Sequence, residues 1–304
     1  MSEPLNFAQL RGRWQADVPM GPQLSWRAGG HARRAYVPAD IDDLCACIAT
    51  LPADEPLLFV GLGSNLLVRD GGFPGTVFLL HGTLRQLQLD GEFIYAEAGV
   101  TSPKLARFVA RQGRVGGEFL AGIPGTIGGA LAMNAGCYGG ETWPLVDRVL
   151  VVDRRGERRV MAAAEFSFAY RHVEPRDKAE APLFFLAAWF RFPQGDGEAS
   201  RQRIAELLAK RQATQPLDLP NAGSVFRNPE GDFAARLIEA AGLKGLTVGG
   251  AQVSTKHANF IVNFAGCASA ADIEALIETV QNEVQVRFGV SLQREVKIVG
   301  EPKR

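Results

Sequence analysis

The residues best suited to chemistry fall in three short stretches. Gly61-Leu62-Gly63-Ser64-Asn65 follows an apolar run, and its bare backbone lets amide N–H groups approach an anion, with Ser64 and Asn65 as further donors. Taken alone it suits a tight strand-to-strand turn better. A dinucleotide loop is excluded by context, because Leu66 stands where the third glycine of GxGxxG belongs and no helical pattern follows. The second stretch, Gly116 to Gly136, interleaves glycines with apolar residues and carries almost no charge, so it reads as buried backbone without side chains to fill the space around it. A pyrophosphate with flat aromatic rings would fill that space and take N–H donors. A glycine-rich packing corner explains the small residues but not their persistence: residues 113–140 hold ten of the 34 glycines. The third stretch, Asn221-Ala222-Gly223-Ser224-Val225-Phe226-Arg227-Asn228-Pro229, sets a serine between glycine and apolar residues and follows it with a cation and an amide. A hydrolase nucleophile elbow is excluded, since Phe226 occupies the second glycine position and no strand precedes. An isolated serine here is more often a turn or cap hydroxyl, and Tyr170-Arg171-His172 and Glu295, taken singly, read as solvated surface groups.

Composition narrows the chemistry. The 304 residues balance 33 Lys plus Arg against 33 Asp plus Glu, which removes the sequence-independent attraction to nucleic acid or an anionic membrane. Cys45, Cys47, Cys137 and Cys267 form no CxxC and are too few for a disulfide framework, so reduced, buried thiols are expected. His31, His81, His172 and His257 are scattered singly, and no metal site is expected. Residues 1–11 have no apolar core of signal-peptide length, and nowhere do about 18 apolar residues run uninterrupted. The expectation is a cytoplasmic protein with no membrane insertion, favoured as a monomer.

These stretches need elements to position them. Asp40 can cap a helix over Ile41 to Leu51, and the apolar run Pro56 to Val60 predicts a strand covered on both faces. A further strand is predicted over Thr76 to Leu80. Leu87-Gln88-Leu89 and Phe93-Ile94-Tyr95 are expected to pair about an Asp90-Gly91 type I′ turn, and Ser102 to cap a helix closed by Gly113. Strand patterns follow at 146–152, 159–161, 166–170 and 183–192, then a linker over 193–198 and a helix over 201–212. The last hundred residues alternate helices and strands: a helix capped by Asp232, a capping box at Ser269 and Asp272, and strands at 260–262 and 290–299. This predicts an α+β protein with 1–196 as one domain (an N-terminal lobe 1–55 and a glycine-rich lobe 56–196) and 197–304 as a second, smaller one.

In order along the chain, Arg27-Ala28-Gly29-Gly30, the Gly61 loop through Leu67, Ala121 to Gly129, Tyr170-Arg171, Ala222 to Pro229 and Ser254-Thr255-Lys256-His257-Ala258-Asn259-Phe260 closely resemble the UDP-N-acetylenolpyruvoylglucosamine reductase family. The pattern covers nearly the whole chain. The short connection from Phe192 to Ala213 resembles the family's second type, which lacks a tyrosine-bearing insertion. Departures are Leu24-Ser25 in place of threonines, His31 where proline is frequent, and Arg294 where proline often precedes the final glutamate; the last bears on the aim of Glu295.

The resemblance implies a vanillyl-alcohol-oxidase-type FAD-binding domain with a C-terminal substrate-binding domain. It implies noncovalent FAD held by Gly61, Gly63, Ser64, Asn65, Gly122, Ile123, Pro124, Gly125, Thr126, Gly128, Gly129, Asn134 and Gly136. The implied reaction reduces the enolpyruvyl ether of UDP-N-acetylglucosamine to UDP-N-acetylmuramate for peptidoglycan, with NADPH as hydride donor. NADPH and the sugar nucleotide are expected to take turns in one cleft. Arg171 would stabilise the dianionic enolate, a protonated Glu295 would hydrogen-bond the substrate carboxylate, and Ser224 would protonate C2. Tyr170, Arg227 and Asn228 are the implied substrate-binding residues. Two other readings are an alcohol- or sugar-oxidising flavoenzyme of the same FAD-domain class, which would consume oxygen without NADPH, and a non-catalytic sugar-nucleotide binder.

Overall fold

A computed structural model describes residues 10–178 and 182–303. The N-terminal stretch expected to lack a leader lies mostly outside the described residues. By contacts the chain forms two compact units, one of residues up to Gln15 with Ala35–Gly61 and Thr76–Ala209, the other of Ala16–Arg34, Leu62–Gly75 and Lys210–Arg304. This differs from a cut at 196/197. Two early segments join the C-terminal residues because their side chains pack there: Trp26 is fully buried with its indole N–H on the Ile261 carbonyl (2.7 Å), and Leu67 lies in the same apolar core.

In the first unit, Asp40 caps α1 (Ile41–Thr50) through its carboxylate and the Asp43 N–H, as the sequence predicts. Leu57–Val60 pairs in parallel with Phe73–Leu79. A five-stranded antiparallel sheet orders Arg158–Ala162, Val146–Val152, Phe184–Phe190, Phe93–Glu97 and Leu87–Asp90. The hairpin of its last two strands turns on Gly91-Glu92, not Asp90-Gly91; Gly91 alone has positive φ (+60°), as a type II′ turn requires. α2 (Ser102–Arg111) starts one residue earlier than expected, since Thr101 is its cap and Ser102 its first residue, with the Ser102 N–H spent on the Gly125 carbonyl (2.9 Å). α3 (Ile127–Met133) rises from the glycine-rich stretch. α4 (Gly197–Thr214) begins inside the predicted linker, because Asp196 accepts the Glu198 and Ala199 N–H groups and so starts the helix early.

In the second unit a three-stranded sheet of Thr247–Val248, Ala251–Val253 and Ile261–Asn263 lies against α6 (Ala270–Phe288), whose capping box at Ser269 and Asp272 forms as predicted. α5 (Ala234–Ala240) precedes it, and its first N–H groups are not served by Asp232. Asn228 Oδ1 accepts the Ala234 N–H (3.1 Å), while Asp232 pairs with Arg236. The predicted strand over 290–299 is regular only at Lys297–Val299, which pairs in parallel with Leu66–Val68. The alternation is real, with Leu292 and Val296 buried, but the segment changes partner midway: Arg294 bridges to Phe226 before 297–299 turns to 66–68. All four cysteines are free, and Cys45 and Cys47 are buried as expected, whereas Cys137 is half-buried and Cys267 exposed. Among the described residues no helix is long and apolar enough to cross a membrane, and no cluster of His, Cys, Asp and Glu could hold a metal ion.

Candidate active site

The first unit joins two of the predicted stretches. A Cβ on Gly61 would collide with the Thr126 side chain, so the end of the first glycine loop packs directly on the second. After Gly61 the chain leads through Gly63 to the strand Leu66–Val68 and not to a helix, in keeping with the exclusion of a dinucleotide loop. Along the second stretch, amide N–H groups are largely committed within the fold: Ile123 donates to Leu120 O, Gly125 to Ile123 O, Ile127 to Val100 O and Gly128 to Ala98 O. The amide hydrogens of those four residues are therefore spent inside the fold and are not presented to a ligand.

Asn134 ends α3 in a left-handed conformation (φ +43°) and is fully buried. Its carboxamide donates to Glu141 (3.0 Å) and to the Ala169 carbonyl (3.1 Å) and accepts the Trp143 N–H (3.0 Å). The side chain expected to contact the cofactor is thus spent on holding Ala169, the residue before Tyr170-Arg171. Those two form the turn between the strands Phe166–Ala169 and His172–Pro175. Arg171 has φ +55°, a conformation that costs a side-chain-bearing residue about 1 kcal/mol and that such turns usually give to glycine or asparagine. A residue held in this way points to function. Its guanidinium donates to the carbonyls of Gly136 (2.8 Å) and Asn134 (3.4 Å) and lies 4.8 Å from the centre of the Tyr170 ring. Arg171, Tyr170, Asn134 and Gly136 are therefore one cluster.

The second unit joins Ser224 to Glu295. Asn221 Oδ1 accepts the Gly223 N–H, and Gly223 takes φ +72°, so the chain turns sharply just before Ser224. The next residues pair with the last segment: Glu295 N donates to Val225 O (2.8 Å) and Arg227 N to Gln293 O (2.9 Å). Ser224 and Glu295, 71 positions apart, are thus brought to adjoining backbones, both half-buried. Arg294, in the place of the expected proline, keeps this pairing, and its side chain reaches Gln281 (3.0 Å) and Glu278 (3.2 Å) on α6. Asn65 donates its Nδ2 to the Glu295 carbonyl (3.1 Å), a role the sequence did not suggest. Gly63 holds Ser25 through its carbonyl, and Asn228 serves as the cap of α5 while Arg227 is half-buried.

Residues 32–161 match the family described as "FAD binding domain", and residues 215–299 match "UDP-N-acetylenolpyruvoylglucosamine reductase, C-terminal domain". The chain is 57% identical to the UDP-N-acetylenolpyruvoylglucosamine reductase of Thiobacillus denitrificans, over 96% of this chain and 94% of that one. It belongs to the UDP-N-acetylenolpyruvoylglucosamine reductase family. The reductase of Methylococcus capsulatus is 55% identical over 97% of this chain and 95% of its own length. The crystal structure of the reductase from Thermus caldophilus superposes with a TM-score of 0.80 at 33% identity, covering 94% of this chain and 99% of that one. The expected architecture, an FAD-binding domain with a C-terminal domain particular to this reductase family, agrees with these matches.

Two neighbouring glycines of α3 test whether the first unit fits FAD. A Cβ on Gly128 would press on Ala98, so packing within the unit explains that glycine. Gly129 is different: a Cβ there would meet no atom nearer than the Thr126 hydroxyl at 3.9 Å, although glycine in a helix costs about 1 kcal/mol relative to alanine. Internal packing gives no reason for glycine at 129, whereas a flat cofactor approaching the backbone does. Gly129→Ala is accordingly expected to raise the melting temperature of the flavin-free protein while lowering its FAD content. Thermal scans and bound flavin per chain, measured side by side, check the pair of signs; unchanged flavin content would remove Gly129 from the cofactor site.

Proposed function

We propose that this chain reduces the enolpyruvyl ether of UDP-N-acetylglucosamine to UDP-N-acetylmuramate, a peptidoglycan precursor, as an NADPH-dependent FAD enzyme. The observation that carries the reading is the span of the likeness, which runs through the FAD-binding and the reductase-specific parts in one chain. The glycine-rich stretch from Gly122 to Gly129 would hold FAD, whose chemistry would be hydride transfer between NADPH and C3 of the enolpyruvyl group.

The residue roles follow from the charge this creates. Hydride arriving at C3 drives negative charge into the substrate carboxylate, and a fixed cation lowers the energy of that dianionic enolate. We assign this to Arg171, whose guanidinium is already oriented by two backbone carbonyls and has the planar fork that suits a carboxylate. Glu295 in its protonated form would donate a hydrogen bond to the same carboxylate, and Ser224 would give a proton to C2. A serine hydroxyl is a weak acid, effective only against a base as strong as this enolate, and it needs water or a neighbour to restore its proton. Tyr170 and Arg227 are assigned to substrate binding; Asn228 would shape the same segment through its cap on α5. Its proposed use of NADPH and a sugar nucleotide supports a cytoplasmic location, and we take it to act as a monomer.

The visible absorption spectrum tests the reading. The purified protein is expected to be yellow, to release intact FAD on acid precipitation, to bleach with NADPH and to recover its colour with the enolpyruvyl substrate. Flavin that stays with the precipitate would overturn noncovalent binding. Oxygen uptake on alcohols or sugars without an NADPH requirement would replace the reductase reading with an oxidase, and nucleotide binding without flavin turnover would replace it with a sensor.

A further inference from the structure

We infer that Asn259 is a positioning residue for Ser224, its buried carboxamide gripping both backbone groups of Phe226 and so fixing the segment that carries Ser224 and pairs with Glu295. The inference rests on the assignment of Ser224 as proton donor. Asn259 is 4% exposed. Its Oδ1 accepts the Phe226 N–H (3.0 Å), its Nδ2 donates to the Phe226 carbonyl (2.8 Å), and its own carbonyl accepts the Val225 N–H (2.9 Å). One residue thereby does for 225–226 what an adjacent strand would do, satisfying donor and acceptor together.

The need for such a grip is local. On the N-terminal side of Ser224 the chain turns at Gly223, whose N–H is held by Asn221 Oδ1 (3.0 Å) beside the buried Ala222. On the C-terminal side it is the hydrogen bonds of Val225 and Phe226 to Asn259 that hold the backbone. The same backbone receives Glu295 N on Val225 O, so a slip at 225–226 would displace both assigned groups at once. Asn259 is itself oriented: its N–H meets His257 Nδ1 (3.3 Å), the His257 ring packs edge-on against Phe260 (4.7 Å between centres), and Ser254 Oγ accepts the Lys256 and His257 N–H groups, forming the turn that leads into it. Burial pushes the His257 imidazole below its ordinary pKa, which favours the neutral ring that Nδ1 needs to accept. A proton donor misplaced by even 1 Å can cost on the order of 100-fold in rate.

Asn259→Asp keeps the volume and the Oδ1 acceptor but sets an oxygen against the Phe226 carbonyl; Asn259→Ala removes the grip. Both are tested as flavin-loaded enzyme by rapid mixing. Reduction by NADPH is expected at close to the wild-type rate, and product formation with the enolpyruvyl substrate about 10- to 100-fold slower. The decisive comparison adds each substitution to Ser224→Ala, where no further loss is expected because the group being positioned is gone. Amide hydrogen exchange at Val225 and Phe226 should also quicken in Asn259→Asp, with or without flavin. Should Asn259→Ala fail to fold, Asn259→Asp carries the test alone. Multiplying losses in the double variant, loss of NADPH reduction along with product formation, or a full-rate Asn259→Asp would each overturn the inference. A Ser224→Ala enzyme with wild-type product formation would instead overturn the assignment beneath it.

Discussion

Ser224→Ala is expected to bind FAD and be reduced by NADPH at close to the wild-type rate, yet to form product about 100- to 10,000-fold more slowly, the range for a lost general acid. The two halves separate because hydride leaves NADPH before any enolate exists. A group that only protonates C2 is dispensable for the first half and needed in the second. The substitution is structurally mild. It removes one oxygen from a half-buried residue, while the neighbouring backbone stays bound through Val225 N on Asn259 O and Glu295 N on Val225 O. Flavin absorbance followed after rapid mixing, first with NADPH and then with the enolpyruvyl substrate, reads the halves independently. Wild-type reoxidation with wild-type yield of product would return Ser224 to the role of a turn residue.

How much of this was legible in sequence depended on how far each interaction reached. Asp40 and the Ser269–Asp272 box act within one helical turn, and both were readable from spacing. Asn134, Asn65 and Asn259 act on backbone that lies 35, 230 and 33 positions away, and no local pattern encodes such bonds. A weaker signal did exist for Asn259: an amide inside the run Ala258 to Val262 must find partners once that run is buried. The partner itself could come only from the tertiary structure. The same distinction explains the units. Trp26 reads as one apolar residue among many until its indole N–H is seen on Ile261, and Glu295 reads as a polar-face residue of a long strand until that strand divides between two partners. The glycine-rich stretch was legible as largely buried backbone, but the direction of its amides was not, because Val100 and Ala98 supply the acceptors from another part of the chain.

Arg171→Ala is expected to fail one step earlier than Ser224→Ala, slowing hydride transfer to the substrate itself by about 100- to 1,000-fold, the cost of removing a preorganised oxyanion donor. NADPH should still reduce the flavin. The complication is that Arg171 also holds the carbonyls of Gly136 and Asn134, so its loss loosens the segment beside it and could slow the reaction through disorder alone. The backbone separates these causes. At φ +55° alanine retains the strain of the left-handed conformation and glycine does not, which makes Arg171→Gly more stable than Arg171→Ala by about 1 kcal/mol. If backbone strain in the loosened segment limits the rate, glycine should recover much of it. If the missing cation limits the rate, both variants should be equally slow in flavin reoxidation despite their different melting temperatures, and Arg171→Lys, with charge but no planar fork, should fall between them and wild type. An Arg171→Gly enzyme whose flavin is reoxidised by substrate at near the wild-type rate would end the assignment of this arginine to the enolate.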